Sequence, residues 1–156
     1  MGVAGSGKTT VGELLATQLA WKFIDGDQLH PPENIKKMRA RLPLTEVDRA
    51  HWLDRIEARL KAISASSGAA VLAASALRHS HRERIRSGAK AVQFVYLKGD
   101  FEQIKARLEH RTDHFFGSDL LASQFEILEA PDSAIVIDIS LEPVDIVREI
   151  RKTLAI

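Results

Sequence analysis

Gly2-Val3-Ala4-Gly5-Ser6-Gly7-Lys8-Thr9 is the stretch on which the reading of this chain turns. It fits the spacing G-x-x-x-x-G-K-[ST] without a mismatch, the pattern of a loop that cradles phosphate. Gly2, Gly5 and Gly7 have no Cβ, so the backbone there can take positive φ and close around an anion. Successive N–H groups then point inward as a nest. A helix starting near Lys8 aims the positive end of its dipole at the same place. Lys8 is the residue type that reaches β- and γ-phosphates, and the Thr9 hydroxyl the type that holds Mg²⁺. The expected nucleotide site is therefore Gly2, Val3, Ala4, Gly5, Ser6, Gly7, Lys8, Thr9 and Thr10, with ATP and Mg²⁺ as cofactors.

Outward from the loop, apolar periodicity lays out the rest of the chain. Val11, Leu14, Leu15 and Leu19 fall on one side of a helix over Thr9–Ala20. Trp21–Ile24 reads as a short buried strand that leaves through Asp25-Gly26-Asp27. Pro31 and Pro32 suit the first turn of a helix to Met38. Thr45 with Asp48 three residues later resembles a capping box, opening a helix to Ala65. Strands are expected at Ala69–Ala74, Val92–Leu97 and Ala134–Ile139. Helices are expected at His79–Ser87, Phe101–Glu109, Leu120–Leu128 and Glu142–Leu154. Alternating strands and helices predict an α/β fold: a phosphate-loop, three-layer α/β/α parallel sheet in a single domain over 1–156.

Such a loop normally follows a buried parallel strand. Only Met1 precedes Gly2, so the first strand is expected to be missing. Right-handed crossovers bring strand C-termini to one edge of the sheet. Gly2–Thr9, Asp25–Asp27, Ser75–Arg78 and Lys98–Asp100 should meet there, where open α/β sheets bind ligands.

Composition narrows the function classes. The formal net charge of +1 gives no general field for nucleic acid or membrane. There is no cysteine, which excludes disulfides and thiolate metal sites and fits a cytoplasmic location. No apolar run approaches the roughly 20 residues of a membrane span, and no basic-then-apolar signal pattern opens the sequence. The basic run Arg78 to Arg86 lacks interleaved aromatics, so no nucleic-acid partner is expected.

The remaining polar clusters suggest phosphoryl transfer to a small anionic molecule. Asp25 and Asp27, two apart, leave the strand facing the phosphates: one suits Mg²⁺ through water, the other a hydroxyl proton. Arg49, Arg78 and Arg82 are guanidinium forks for a carboxylate. The loop Arg111–Gly117 has the makeup of a lid, and Arg107 or Arg111 can neutralise charge on the transferring group.

Assembled, these pieces resemble the gluconokinases, small kinases related in fold to shikimate kinase and the nucleoside monophosphate kinases. The resemblance rests on Met1 to Thr9, on Phe23-Ile24-Asp25-Gly26-Asp27 with Leu29-His30-Pro31, and on Asn34-Ile35-Lys36-Lys37-Met38. It continues through Pro43-Leu44-Thr45 with Asp48-Arg49, Trp52-Leu53, Ser75-Ala76-Leu77-Arg78 and Tyr96-Leu97-Lys98-Gly99. Arg107-Leu108, His114-Phe115-Phe116, Leu120-Leu121 with Ser123-Gln124-Phe125, and Leu128-Glu129 with Pro131 complete it. The chain departs from the family pattern at Arg39-Ala40-Arg41-Leu42, His51, Ala74 and His81.

The resemblance implies ATP-dependent phosphorylation of D-gluconate at C6, helices over about 29–66 that bind substrate, a lid over about 111–125, and commonly a homodimer. It casts Lys8, Asp27 and Arg111 as catalytic, with Asp27 on the C6 hydroxyl. Thr9 and Asp25 would hold the metal; Asp27, Arg49, Arg78, Arg82 and His114 would bind substrate. Two other readings stay open from the residues alone: a kinase for another small hydroxy acid, and a truncated nucleotide-binding module without turnover.

Overall fold

The computed structural model describes residues 1–40, 42–89, 91–109 and 118–156, with only the backbone of Ser118 and Asp119. After the phosphate loop come α1 (Lys8–Leu19) and β1 (Lys22–Asp25), then a 3₁₀ turn over Gly26–Leu29. Next are α2 (Pro32–Arg39), α3 (Glu46–Ala65), β2 (Ala70–Ala73) and α4 (His79–Ser87). The chain closes with β3 (Val95–Lys98), α5 (Phe101–Glu109), α6 (Ser118–Ile127), β4 (Ile135–Asp138) and α7 (Pro143–Leu154).

The expected elements are present, with ends moved slightly. The Thr45 cap is a full capping box: its hydroxyl accepts from Asp48 N (3.2 Å), and Asp48 Oδ2 accepts from Thr45 N (2.8 Å). Two orphan N–H groups are thereby satisfied where a long helix must start. Lys37 Nζ, 2.7 Å from Asp48 Oδ2, ties α2 to the same corner. The strand expected from Val92 pairs only from Val95 onward. Val92, Gln93 and Phe94 border an opening in the sheet instead.

All strand pairs are parallel. β1 pairs with β2 in the register Lys22↔Ala70 to Asp25↔Ala73, and β3 with β4 from Val95↔Ile135 to Lys98↔Asp138. Among the described residues, Met1 and Gly2 stand between these two-stranded halves. Leu97 N donates to Met1 O (3.0 Å), Met1 N donates to Val95 O, and Gly2 N donates to Ser75 O (3.2 Å). The order is thus β1-β2, then Met1–Gly2, then β3-β4.

Helices cover both sides. One cluster joins Val11 and Leu15 of α1 and Ile146, Val147 and Ile150 of α7 to Leu97, Ile104, Leu121 and Ile137. The other sets Trp52, Leu53 and Ile56 of α3 and Ile85 of α4 against Ala74, Ala76 and Phe94. Each fully buried side chain of this size contributes about 1.5–3 kcal/mol through loss of apolar surface to water. This is the three-layer arrangement expected, and it fixes the phosphate loop at the sheet's C-terminal edge.

Candidate active site

The loop is shaped by backbone that side chains would obstruct. Gly5 has φ 81, and a Cβ there would come within 3.0 Å of Leu108 and Ile104 side chains. Gly7 has φ 91 and caps α1 in the left-handed region, with open space where its Cβ would be. No side chain caps the N-terminus of α1, and no acidic residue sits in its first turn. Its leading N–H groups and dipole therefore remain available to an anion. Lys8 Nζ folds back to donate to Val3 O (2.9 Å).

A cleft of about 210 Å³ opens from this loop. Ala4, Gly5, Gly7, Lys8 and Thr9 form its floor, with Asp27 beside them. Asp27 is open to the cleft yet has protein on most sides. Loss of water raises its pKa above the usual carboxylate range, Lys8 pulls it back down, and Asp25 pushes it up. Asp25 behaves differently from expectation. Its Oδ1 accepts from Asp27 N (3.0 Å), which turns the chain into the 3₁₀ helix instead of prolonging the strand. Asp25 does not line the cleft, and neither does exposed Thr10.

The opposite wall comes from α2 and α3. Trp52, 2 % exposed, donates Nε1–H to Gly26 O (2.7 Å) and locks α3 against the Asp27 turn. His30 stacks on Trp52 at 4.8 Å with the rings 9° from parallel. Asn34 Nδ2 donates to Asp48 O (2.8 Å), which fixes the amide's orientation, and lies 3.1 Å from His30 Nδ1. His30 Nδ1 therefore accepts, and the proton belongs on Nε2. Burial first, then the Arg49 charge, lowers the His30 pKa to about 4, so the ring is a neutral donor.

This has a measurable consequence. The unfolded chain binds a proton at His30 between about pH 4 and 6.5 that the folded chain refuses, so stability rises with pH through that window and falls on acidification. A shift of this size corresponds to about 3 kcal/mol. Urea unfolding at pH 4.5 and pH 7 should show the difference, and His30→Phe should shrink it. An unchanged pH slope in His30→Phe would contradict the assignment.

Arg49 lines the cleft and donates Nη1–H to Glu46 Oε1 (2.8 Å). Arg78 approaches the same oxygen with Nε at 3.4 Å, an ion pair too long and misaligned for a hydrogen bond. His81 Nε2 meets Glu46 Oε2 at 3.2 Å. Desolvation works to raise the Glu46 pKa, but the His81 bond and the Arg49, His81 and Arg78 charges outweigh it and leave it lowered. Burial lowers the His81 pKa more than Glu46 raises it. Two guanidiniums thus share one carboxylate beside a neutral imidazole, a local surplus of positive charge.

Arg82 is placed elsewhere. It is buried, off the cleft, and donates Nη1–H to Ala76 O (3.2 Å) and Leu77 O (3.0 Å). Ala76 holds φ 46, unfavourable for a residue with a Cβ, and Arg82 clamps that turn. Lys98–Asp100 does not reach the cleft either: Asp100 Oδ1 accepts from Gln103 N (2.7 Å) and starts α5. Arg107 donates to Ile139 O and points away from the loop. Arg111 and His114 lie outside the described residues.

Four contributors were not singled out by chemistry in the sequence: His30, Trp52, Glu46 and Gln124. Gln124 Oε1 accepts from Ala4 N (2.7 Å), so α6 docks directly on the phosphate loop. Asn34, in the first turn of α2, reaches back to the extended His30 just ahead of that helix.

Comparison with known proteins gives a consistent result. The family model described as shikimate kinase matches residues 4–152. The chain is 43% identical to the thermosensitive gluconokinase of Escherichia coli K12, covering 85% of this chain and 71% of that protein. It is also 43% identical to the gluconokinase of Gluconobacter oxydans 621H, covering 91% and 80%. The crystal structure of a gluconokinase from Sinorhizobium meliloti 1021 superposes with a TM-score of 0.91 at 43% identity, covering 99% of this chain and 89% of that one.

Proposed function

The chain belongs to the gluconokinase family, and from that premise we propose that it transfers the γ-phosphoryl group of ATP to gluconate at the C6 hydroxyl. One observation carries the reading: an uncapped helix N-terminus, Lys8 and Asp27 open on the same small cleft, with Arg49 across it.

The residues present fit the expected cofactor. The nest is free of side-chain caps, and the Thr9 hydroxyl on the cleft is a hard oxygen donor of the kind Mg²⁺ takes; Asp25, off the cleft and turned to its own backbone, would reach it only through water. Mg²⁺ held there would draw off part of the phosphate charge. Lys8 exchanges its Val3 carbonyl for a phosphate oxygen. Asp27 orients the attacking hydroxyl and takes its proton. A raised pKa brings Asp27 nearer the working pH and makes it a better proton acceptor. Arg49, with Arg78 behind it, offers positive charge to the acid's carboxylate, and His30 offers Nε2–H to a hydroxyl. The family resemblance also assigns Arg111 to neutralising charge on the transferring group and His114 to binding substrate. Positioning and charge neutralisation supply most of the acceleration.

His30→Phe keeps the stack on Trp52 and removes the donor. The expected result is a KM for gluconate raised about tenfold with kcat within about twofold. Steady-state kinetics check it, and an unchanged KM removes His30 from the substrate. The reading as a whole is tested by coupled ADP release across gluconate, other sugar acids, shikimate and glucose. Gluconate should give the highest kcat/KM. Nucleotide binding without acceleration by any acid would overturn it.

A further inference from the structure

Helix α6 turns one stripe to the cleft and another to the core. Leu120, Ser123, Gln124 and Ile127 line the cleft at i, i+3, i+4 and i+7 spacing, one face of a helix. Leu121, fully buried, and Phe125 pack into the core, and the Phe125 ring meets Phe101 of α5 edge-on at 5.6 Å. Just past the helix, Glu129 N donates to Leu77 O (2.9 Å), and a Glu129 side-chain oxygen accepts from His79 N. Packing along its length and bonds at its end fix α6 in place, so its cleft-facing side chains start from a rigid base.

Two members of that stripe are polar. Ser123 turns its hydroxyl back to donate to Leu120 O (2.9 Å). Gln124 instead reaches the phosphate loop, where its Oε1 accepts from Ala4 N at 2.7 Å. Only the oxygen of a carboxamide can meet an N–H donor, so this contact settles which way round the amide sits. Oε1 holds the loop, and both hydrogens of Nε2 are left over. Among the described residues, no acceptor meets Nε2. It is not one of the buried polar atoms without a partner, so it is open to solvent, on a side chain that lines the cleft beside Gly5, Gly7 and Lys8.

We propose that Gln124 serves the nucleotide in two ways: its oxygen positions the phosphate loop through Ala4 N, and its amide nitrogen donates to the γ-phosphate of ATP. The chemistry of the two ends matches. A phosphate oxygen only accepts, and Nε2 only donates. The donor is uncharged, so it adds to the nest without repelling Lys8. The amide is also oriented before the nucleotide arrives, which lowers the cost of ordering it. This inference rests on the ATP half of the proposed function and not on the acid acceptor. Binding is therefore measured with no acceptor present, and a chain that used some other acid would leave the result unchanged.

Two variants separate the roles. Gln124→Glu keeps an oxygen for Ala4 N and replaces the amide donor; Gln124→Leu removes both. Affinities for ADP and for a non-hydrolysable ATP analogue, each with Mg²⁺, are read beside hydrogen exchange at the Ala4 amide. Gln124→Glu should weaken the analogue about 30-fold or more and ADP less than about fivefold. Its Ala4 exchange should stay within about twofold of the parent, and its thermal midpoint within about 3 °C. Gln124→Leu should weaken both nucleotides and speed Ala4 exchange about tenfold or more. An analogue weakened no more than ADP in Gln124→Glu would overturn the γ-phosphate contact. Ala4 exchange unmoved in Gln124→Leu would overturn the hold on the loop. Should Gln124→Leu fail to fold, the near-isosteric Gln124→Glu still decides the proposal through the ratio of its two affinities.

Discussion

Lys8→Ala is expected to lower kcat for gluconate-dependent ADP formation by about 10³-fold, the scale of losing a cation that meets charge developing in the transition state. The folded chain should survive the change. Lys8 donates to Val3 O at a partly buried position, and a bond of this kind is worth about 0.5–1.5 kcal/mol. A second readout separates chemistry from structure. Lys8 lowers the pKa of Asp27 against the pull of desolvation, so its removal should let that pKa climb. The acid limb of the residual pH–rate profile should then move to higher pH. A variant that loses activity with its acid limb unmoved would mean that Lys8 and Asp27 do not share one site.

Asp27→Asn is the second large effect, an expected fall in kcat of about 10²–10⁴-fold, the usual range for a positioned proton acceptor. Its sign on stability is opposite. The folded-state pKa of Asp27 is raised, so the fold opposes ionisation that the unfolded chain undergoes freely. That penalty is absent at pH below the unfolded value and present in full above the folded one. The asparagine variant should therefore be at least as stable as the parent at pH 7 and lose that advantage in acid. Stability given up at a position that chemistry requires is a general mark of active sites. Thermal melts at pH 7 and pH 4, paired with kcat, check both halves; a variant that is less stable at pH 7 and still active would contradict the assignment.

Much of this was legible in the residues because local rules governed it. The glycine spacing around Lys8, the Thr45–Asp48 box and the Pro32 start of α2 are short-range devices, and each stands where its residues imply. The roles of Asp25 and Arg82 were not legible in that way. Whether a carboxylate faces a ligand or caps its own turn depends on which N–H it reaches first, and Asp25 reaches Asp27 N. Whether an arginine meets substrate or backbone depends on burial, and Arg82 is 5 % exposed against two carbonyls. His30 was hidden for the same reason. Its chemistry comes from Trp52 and Asn34 together, and only the folded chain brings the Trp52 ring against it. The charge surplus around Glu46 likewise joins α3 to the Arg78 turn and α4, segments far apart in sequence.

The most direct test of the central claim follows the phosphorus atom. The chain is incubated with ATP, Mg²⁺ and gluconate labelled with ¹³C at C6, and the product is read by ³¹P and ¹³C NMR. Transfer across the cleft from the phosphate loop to a hydroxyl held by Asp27 predicts a phosphomonoester coupled to C6 and one ADP per ester. ADP accompanied only by inorganic phosphate, or a phosphorus coupled to some other carbon, would contradict it.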